Sequence, residues 1–345
     1  MRKYIISENG NFYKANLHCH TTCSDGKLTP EEIKALYLKN GYSIVAYSDH
    51  NVLIDHSELT DDEFLALTAV EIDINKKSDL PASFNPCYHI NFFAPKACAD
   101  TIPCFNPKYI RYNKALIDSQ KYFGTPDYER DYDKANELIA EFTKHGFLTS
   151  INHPTWSLQG IEDLAKLDNI FAVEIYNNGA YVEGHEEINH HVFDRLLKMG
   201  KRVFCIATDD NHNGKWNGAD ENSPYWDSCG GWVMIKADRL DYESIMASLK
   251  AGNFYASTGP EIKELYIEDN ALHVKTSPAA RIVLNNQIRR AICAYPKNSE
   301  DPLCEAVFPL GSLYEGTYIR IKVEDGHGHY AWSQPIYADF DGKTI

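Results

Sequence analysis

The chain carries little positive charge for its size. Its 345 residues include 34 Lys and Arg against 49 Asp and Glu, which gives a formal net charge of −15 at pH 7. An acidic protein repels the phosphate backbone of nucleic acids and the anionic surface of a membrane. We therefore expect neither a nucleic acid nor a membrane as a partner. An anionic ligand would need cations held locally at its site.

Long hydrophobic runs are also absent, although 43% of the residues are hydrophobic. No segment approaches the roughly 20 apolar residues that a membrane-spanning helix requires, and the first residues contain no apolar core of signal-peptide length. The nine cysteines are scattered, and no two form a Cys-x-x-Cys pair. This pattern excludes a dense disulfide framework, and reduced thiols favour a cytoplasmic protein.

Up to about residue 258, short apolar runs alternate with amphipathic stretches. The clearest helix is predicted from Pro30, because Thr29 and Glu32 can form a capping box around it. Repeated strand-then-helix units predict a parallel sheet, and their number suggests a barrel with its chemistry at the carboxyl ends of the strands. Residues 95–130 are rich in Pro, Tyr and Asn, which predicts an insertion over the barrel mouth.

The pattern changes after Gly259-Pro260. Residues 264–267 and 272–275 alternate as the two strands of a hairpin around Asp269-Asn270. The alternation continues, with few helical periods, toward the end of the chain. We therefore predict two domains, an α/β domain over residues 1–259 and a small antiparallel β-sandwich over residues 260–345.

Histidines and carboxylates recur where the predicted strands end. His18 and His20 are two residues apart in a strand, so their side chains point to the same side. Imidazoles and carboxylates gathered at strand ends are the groups that a hydrolytic site with several metal ions requires. The predicted metal ligands are His18, His20, Asp25, His50, Glu71, His89, His153, Asp210 and His212.

Three nearby carboxylates have more than one interpretation. Asp210 is two residues from His212, and this spacing returns both side chains to one face, so we choose Asp210 over Asp209 as the ligand. Asp49 either caps a helix or orients an imidazole. For Glu174 we favour an orienting or structural role over direct ligation.

Together these motifs resemble the polymerase and histidinol phosphatase (PHP) family, over about residues 14–258. The part after residue 260 is similar to the branch that contains carbaryl hydrolase-like metallohydrolases. The PHP resemblance implies a distorted (β/α)7 barrel with two or three divalent metal ions, Zn, Mn or Fe. It rests on Asn-Leu-His-Cys-His-Thr-Thr-Cys-Ser-Asp-Gly at 16–26, Ser-Asp-His-Asn at 48–51, Glu71, His89, Asn-His-Pro at 152–154 and Asp-Asn-His at 210–212.

The resemblance also implies which residues share an ion. Asp210 and His212 are the predicted catalytic residues, with Asp210 as a candidate proton acceptor. The implied sets are His18, His20, Glu71 and Asp210 for the first ion, Asp25, His50 and His212 for the second, and His89 and His153 with a bridging Glu71 for the third.

These observations predict an enzyme that hydrolyses a small phosphomonoester or phosphodiester with a metal-activated water. The same site could instead hydrolyse a carboxylic ester or a carbamate. A cationic pocket would favour a phosphate substrate, whereas an apolar pocket formed by tryptophan-containing loops would favour a neutral ester. A third interpretation is a binding protein with structural metals. The candidate substrate contacts are Lys27, Asn177, His185 and Lys215.

Overall fold

The computed structural model describes residues 2–289, 291–298, 301–311 and 318–337. These residues form a mixed α/β structure with six α-helices and 20 strands. The helices are α1 (Pro30–Lys39), α2 (Ala135–Lys144), α3 (Ile161–Ala165), α4 (Asn178–Val182), α5 (His190–Lys198) and α6 (Tyr242–Ala251). The strands up to residue 257 are β1 (Lys3–Tyr4), β2 (Asn11–Cys19), β3 (Ile44–Tyr47), β4 (Leu65–Asn75), β5 (Cys87–Phe93), β6 (Thr101–Ile102), β7 (Lys121–Tyr122), β8 (Leu148–Ile151), β9 (Ala172–Asn177), β10 (Phe204–Thr208), β11 (Trp232–Ala237) and β12 (Phe254–Ser257).

The later strands are short and antiparallel, and five single turns of 3-10 helix lie in the loops. These strands are β13 (Ile262–Glu268), β14 (Ala271–Ala279), β15 (Arg281–Asn286), β16 (Ile292–Ala294), β17 (Leu303–Pro309), β18 (Tyr318–Glu324), β19 (Tyr330–Ser333) and β20 (Ile336–Tyr337). The 3-10 turns are Ser57–Leu59, Ala82–Phe84, Pro107–Tyr109, Lys114–Leu116 and Tyr132–Lys134.

Helix α1 begins as its sequence predicts. The side chain of Thr29 accepts a hydrogen bond from the backbone N–H of Glu32 (3.3 Å), and the Glu32 carboxylate accepts one from the backbone N–H of Thr29 (2.9 Å). Pro30 occupies the first helical position, where its missing N–H has no intrahelical partner to lose. The capping box thus fixes the helix that follows the loop carrying Asp25.

The large sheet has the strand order β10-β9-β8-β5-β4-β3-β2-β11-β12-β19-β18-β15-β16. From β10 to β2 its strands are parallel except for β5, which runs antiparallel to both β4 and β8. The predicted parallel sheet is therefore wrong at β5, and also at β11, which runs antiparallel to β2. The connection from β4 to β5 holds only a 3-10 turn and no crossover helix, and a connection of that kind joins antiparallel neighbours.

The strands of the described residues do not close into the predicted barrel, because β11 takes one edge of β2 and β3 takes the other. Strand β11 pairs with β2 from Ala15 back to Asn11. Beyond that point the end of β2 meets the loop after β10 through single backbone contacts. Asp210 N donates to His18 O (3.0 Å), and His20 N donates to Asn211 O (3.3 Å). These contacts bring His18 and His20 of the β2 end together with Asp210 and His212 after β10, the first strand of the order.

The C-terminal strands form two antiparallel layers with a shared apolar core. One layer has the order β1-β13-β14-β17, and the other continues the large sheet through the pairing of β12 with β19. Leu265 and Leu272 from the first layer pack in one cluster with Ile282 and Ile321 from the second. The predicted boundary at 259/260 stays a prediction, and residues 338–345 of the predicted second domain lie outside the described residues. No helix in the described ranges is long and apolar enough to cross a bilayer.

Helix α5 packs through polar contacts against the layer that contains β18 and β19. Arg320 donates two hydrogen bonds to the carboxylate of Asp194 (2.8 and 2.9 Å), and Trp332 Nε1 donates to His190 Nδ1 (3.1 Å). Burial, together with the charges of Lys322 and Arg320, lowers the pKa of His190 to about 4. In the folded protein His190 therefore stays neutral at pH values near 6.5, at which an exposed histidine begins to bind protons.

We predict that this histidine makes the fold sensitive to acid. The unfolded state binds the proton near pH 6.5 and the folded state only near pH 4, so the contribution of neutral His190 to stability is complete above pH 6.5 and is lost as the pH falls toward 4. The His190→Gln variant keeps an acceptor for Trp332 and cannot take up the proton. Urea unfolding between pH 7 and 4.5 should show a loss of about 1–3 kcal/mol in wild type that is reduced in the variant.

The neighbouring His191 offers a matched control for this experiment, because it lies on the exposed side of the same helix. The His191→Gln variant should keep the pH dependence of wild type. If both variants showed the same slope as wild type, burial of His190 would not be the cause.

Candidate metal centre

The structure brings all nine predicted metal ligands to one edge of the large sheet. Strands β2, β4 and β5 carry His18, Glu71 and His89, and the others lie in the loops that follow strand ends. His89 is only the third residue of β5. Because β5 is antiparallel to its neighbours, the beginning of this strand lies at the same edge as their carboxyl ends, and His89 pairs in register with Asp73.

The carboxylate of Glu71 lies at the centre of the cluster and faces imidazoles on both of its oxygens. Its Oε1 lies 3.1 Å from Nδ1 of His89 and 3.5 Å from Nε2 of His153. Its Oε2 lies 3.1 Å from Nδ1 of His50. A carboxylate with ligand groups on both oxygens has the arrangement needed to join two metal ions.

His18, His20 and Asp210 form one group of ligand atoms beside Glu71. The two Nε2 atoms of His18 and His20 are 3.1 Å apart, and Asp210 Oδ1 lies 3.1 and 3.0 Å from them. Glu71 lies 3.3 Å from each imidazole. Ligands around one zinc ion at its usual bond lengths are separated by about 3.0–3.6 Å. This group matches the first ion set that the family resemblance implies.

Asp25, His50 and His212 form a second group on the other side of His20. Asp25 lies 3.5 Å from His212 Nε2, 3.6 Å from His20 Nδ1 and 3.8 Å from His50 Nε2. His20 turns its Nε2 to the first group and its Nδ1 to the second, so one imidazole separates two clusters of ligand atoms. His50 likewise faces Asp25 and Glu71 with different nitrogens.

The charge of the cluster fits divalent cations. Burial opposes ionisation of Glu71, but the imidazoles of His18, His50 and His89 hold its pKa well below the ordinary value. Burial likewise disfavours a charged His18, yet Asp210, Glu71 and Glu174 raise its pKa to about 10. Glu71 Oε2 and His50 Nδ1 are buried without a hydrogen-bond partner among the described residues. Buried ligand atoms that lack donors and attract positive charge are suited to hold metal ions.

Glu174 orients the cluster from behind. Its Oε1 accepts from His18 Nδ1 (2.8 Å) and from Thr208 Oγ1 (2.7 Å), and its Oε2 accepts from the backbone N–H of His153 (2.7 Å) and from Asn177 Nδ2 (2.8 Å). With Nδ1–H donating to this carboxylate, the Nε2 lone pair of His18 faces the metal position. Glu174 is the acceptor in all four hydrogen bonds, as expected for the orienting role predicted for it.

The adjacent Asp209 and Asp210 face in opposite directions. Asp209 accepts from Tyr37 Oη (2.7 Å) and from backbone N–H groups of residues 229–231 (2.8–2.9 Å), and burial raises its pKa to about 6. Asp210 has a positive φ of 50°, and its carbonyl lies so close to Gly179 that a Cβ there would stand 2.7 Å away. Glycine at 179 therefore permits the turn that presents Asp210 to the histidines.

Asp49 supports the loop that carries Asp25. It accepts hydrogen bonds from the backbone N–H and the hydroxyl of Thr21, both at 2.8 Å, and from Ser24 Oγ at 2.7 Å. Its bonds thus go to the loop after β2, in place of the helix cap or imidazole contact that the sequence suggested. The effect on the site is indirect, because the loop holds Asp25 against His20 and His212.

The ligand cluster opens into a cavity of about 760 Å³. Its walls include Tyr112, Trp156 and Trp216 beside the metal ligands, and Arg111 is the one Lys or Arg among the described residues that line it. Arg111 and Tyr112 belong to the predicted insertion at 95–130. That insertion therefore contributes to the cavity wall.

Asp73 anchors the insertion to the strand that carries Glu71. It accepts from Arg111 Nη2 (2.8 Å) and Arg130 Nη1 (3.3 Å) and from the side chain of Asn51 (2.9 Å). Arg130 is buried and also donates to the backbone carbonyl of Asp73 (2.9 Å). Arg111 was not among the predicted site residues, because the insertion shows no periodicity. The signal available was Asp73, an acidic residue in an otherwise apolar strand that needs a cationic partner.

The four predicted substrate contacts lie in different surroundings. Asn177 is buried and donates to Glu174 and Asp210 (2.8 and 3.3 Å), so it positions the ligand Asp210. Lys215 donates to the backbone carbonyl of Asp25 (2.5 Å). Lys27 and His185 are exposed. Among described residues, the cavity lining includes none of these four, and their contact with substrate stays a prediction.

No protein-family model matches the chain. A 5'-3' exoribonuclease of Haemophilus influenzae is 38% identical to it over 66 residues, and the match spans 18% of this chain and 24% of the exoribonuclease.

Several solved structures are similar to the chain, among them the following three. A two-domain protein of Bacteroides vulgatus, which contains a predicted PHP-like metal-dependent phosphoesterase, matches with a TM-score of 0.44 and 14% identity over 95% of this chain and 96% of the other. A protein of Bifidobacterium adolescentis, also described by prediction as a metal-dependent phosphoesterase, matches with a TM-score of 0.40 and 15% identity over 62% and 93%. An amidohydrolase of Chromobacterium violaceum with bound sulfate matches with a TM-score of 0.39 and 16% identity over 57% and 87%.

We predict that metal affinity depends on Glu174 although it lies behind the ligand atoms. In Glu174→Gln, the amide group would face donors of His153 and Asn177 or of His18 and Thr208, and the repulsion would displace the ligands. The affinity for Mn²⁺ or Zn²⁺ should fall about 10–100-fold, measured by competition with a chromogenic chelator.

Glu183→Gln is the matched control, because Glu183 lines the cavity and makes no hydrogen bond to a metal ligand in the described part of the chain. Its metal affinity should stay close to that of wild type. An unchanged affinity in Glu174→Gln would show that His18 keeps its orientation without this carboxylate.

Proposed function

We propose that the chain is a PHP-type metal-dependent phosphoesterase that hydrolyses a small phosphomonoester or phosphodiester at a site with two or three divalent ions. The observation that supports it best is the convergence of the nine ligand residues, with Glu71 at their centre, at an open cavity that has Arg111 in its wall. The metal identity, Zn, Mn or Fe, and the cytoplasmic location are parts of the same proposal.

The ligands have a clear division of tasks in this proposal. When bound, divalent ions lower the pKa of a coordinated water and neutralise phosphoryl oxygens. Asp210 holds one oxygen toward His18 and His20 and the other toward His153 (3.6 Å), and its side chain is 13% exposed to the cavity. It is placed to accept a proton from a water there, with His212 on the opposite side of His20. The guanidinium of Arg111 would bind an anionic oxygen of the substrate.

A small substrate fits the charge of the chain better than a nucleic acid. The net charge is −15, and a single arginine in the cavity wall offers little to a polyanionic backbone. The similarity to an exoribonuclease covers only a quarter of that protein. A ribonucleotide oligomer therefore belongs in the substrate panel as the test of this preference.

A carboxylic ester or carbamate is the second candidate, and the aromatic wall is the observation that favours it. The Trp156 ring lies 4.8 Å from His153 and 5.2 Å from His89, and Trp216 lies 5.8 Å from His212. Such a surface would accept a neutral substrate. Structural metals in a binding protein are a poorer fit, because structural sites are closed by their ligands and this cluster opens into a cavity.

We predict that His20→Ala abolishes turnover and leaves the fold intact. His20 touches both groups of ligand atoms, so its removal should lower the metal content and reduce kcat/KM at least about 100-fold. The test is elemental analysis together with an assay of phosphoesters, carboxylic esters and RNA, and circular dichroism checks the fold. Full phosphatase activity in a metal-poor His20→Ala protein would refute the proposed function.

We predict that Arg111→Ala separates the two candidate functions. Loss of a charge-assisted hydrogen bond should raise KM for a phosphoester about 10–100-fold and leave hydrolysis of a neutral ester almost unchanged. The control is Arg239→Ala, which removes an exposed guanidinium paired with Asp241 far from the cavity wall. Equal effects of Arg111→Ala on both substrate types would argue against phosphate recognition by this residue.

A further inference from the structure

A second, smaller hollow of about 330 Å³ adjoins the metal cavity. The two share Val182 and Asn217 as walls, so they form one continuous concave surface. The remaining walls come from the loop between β10 and β11, with Asp220, Ser223 and Tyr225 as the side chains that can contact a ligand. A substrate bound at the metals would reach this hollow with whatever group extends past Val182.

The loop that forms the hollow is held in place by its own hydrogen bonds. Asn217 donates to Tyr225 O and accepts from Ala219 N, both at 2.9 Å, so its carboxamide is used within the loop. Gly214 has a φ of +69°, and a Cβ there would stand 1.9 Å from Ala219 O. Only glycine at this position allows the loop to fold so tightly.

The same loop is tied to the metal cluster. Asp227 accepts hydrogen bonds from the backbone N–H groups of His212 (2.8 Å), Asn213 (3.1 Å) and Gly214 (3.2 Å). On the other wall, Val182 ends helix α4, whose N-cap Asn177 donates to Asp210. Both walls of the hollow are thus fixed relative to Asp210 and His212, and the hollow keeps its place beside the reacting group.

Three polar groups in the hollow are available to a ligand. Asp220 uses Oδ1 to accept from Asn222 N (2.9 Å), and Ser223 uses Oγ to accept from Tyr225 N (3.2 Å). This leaves Asp220 Oδ2, the hydroxyl proton of Ser223 and the phenol of Tyr225, a side chain that is 63% exposed, without a partner in the described parts of the chain. The aromatic ring adds an apolar face beside these groups.

The charge of the hollow limits what can bind. Asp220 is the one charged side chain among its described walls, and the neighbouring Lys215 is turned to the backbone carbonyl of Asp25. A carboxylate accepts hydrogen bonds and repels anions, so the hollow suits hydroxyl groups and excludes a second phosphate.

We propose that this hollow binds the alcohol part of the substrate, and that this part is a polyhydroxylated group without further negative charge. The inference rests on the proposed phosphoesterase function and refines its substrate class. Hydroxyls of the alcohol would donate to Asp220 and accept from Ser223, and its carbon skeleton would lie against the Tyr225 ring. On hydrolysis the ester P–O bond breaks, water supplies the new P–O bond, and the alcohol leaves through the hollow with a proton.

The test compares sorbitol 6-phosphate, hexyl phosphate and fructose 1,6-bisphosphate as substrates of the metal-loaded chain. Wild type should favour sorbitol 6-phosphate over hexyl phosphate about 10–100-fold in kcat/KM, since each hydrogen bond that the hexyl ester cannot make lowers kcat/KM several-fold. The bisphosphate should be the poorest of the polyol substrates. Tyr225→Ala and Asp220→Ala should each reduce the sorbitol-to-hexyl ratio about fivefold or more.

Tyr295→Ala is the matched control, because Tyr295 is 60% exposed and directly follows β16, outside the hollow. It should keep the wild-type ratio. Equal turnover of the sorbitol and hexyl esters, a preferred bisphosphate, or wild-type ratios in both hollow variants would overturn the proposal while the phosphoesterase function stands.

If the chain hydrolyses no phosphoester, p-nitrophenyl phosphate included, the proposed phosphoesterase function fails. Calorimetry with the same ligands then tests the polyol hollow separately. Tighter binding of sorbitol 6-phosphate than of hexyl phosphate, lost in Tyr225→Ala, would still support the hollow as a polyol site. Equal binding of both ligands would overturn the hollow as well.

Discussion

Burying the carboxylate of Glu71 is unfavourable unless positive charge surrounds it. Glu71 is fully buried in strand β4, and five imidazoles face its two oxygens at 3.1–3.5 Å. Those imidazoles come from four other strands at this edge of the sheet, so the charge of one residue constrains where β2, β3 and β8 end and where β5 begins. Burial disfavours charged imidazoles, but with protons alone the neighbouring carboxylates raise the pKa of His18, His20 and His89, and these cationic rings would crowd around Glu71. Divalent ions between the rings and the carboxylates satisfy the same constraint with every imidazole neutral.

The outer carboxylates extend this constraint into the fold. Glu174, Asp209 and Asp227 are all buried, and each accepts at least three hydrogen bonds from backbone or side-chain donors. None of them needs a metal ion to be satisfied. They hold His18, the loop before β11 and the backbone of His212, and so they fix the directions in which the metal ligands point. Because these carboxylates hold the ligand side chains from behind, the ligand atoms can face an open cavity without hydrogen-bond partners of their own.

Much of the site could be predicted from the sequence because its signals are local. The two-residue spacing of His18 and His20 fixes their common face, and acidic residues in apolar strands stand out by their cost of burial. The orientation of β5 and the place of β11 at the edge of β2 could not be predicted, because they depend on pairing between distant segments. Arg111 was missed for the same reason, since its position is set by Asp73 and not by its neighbours in the sequence.

The two sides of the cavity differ in charge, and this difference follows from which strand each side is attached to. On one side, Asp73 of β4 holds Arg111, so a cation stands near Glu71. On the other side, Asp227 holds the loop after β10, which presents Asp220, Ser223 and Tyr225 to the hollow. A ligand that is anionic at one end and rich in hydroxyls at the other matches both sides in one orientation only. The reverse orientation would place phosphate against Asp220, so the cavity fixes which end of such a ligand meets the metal ligands.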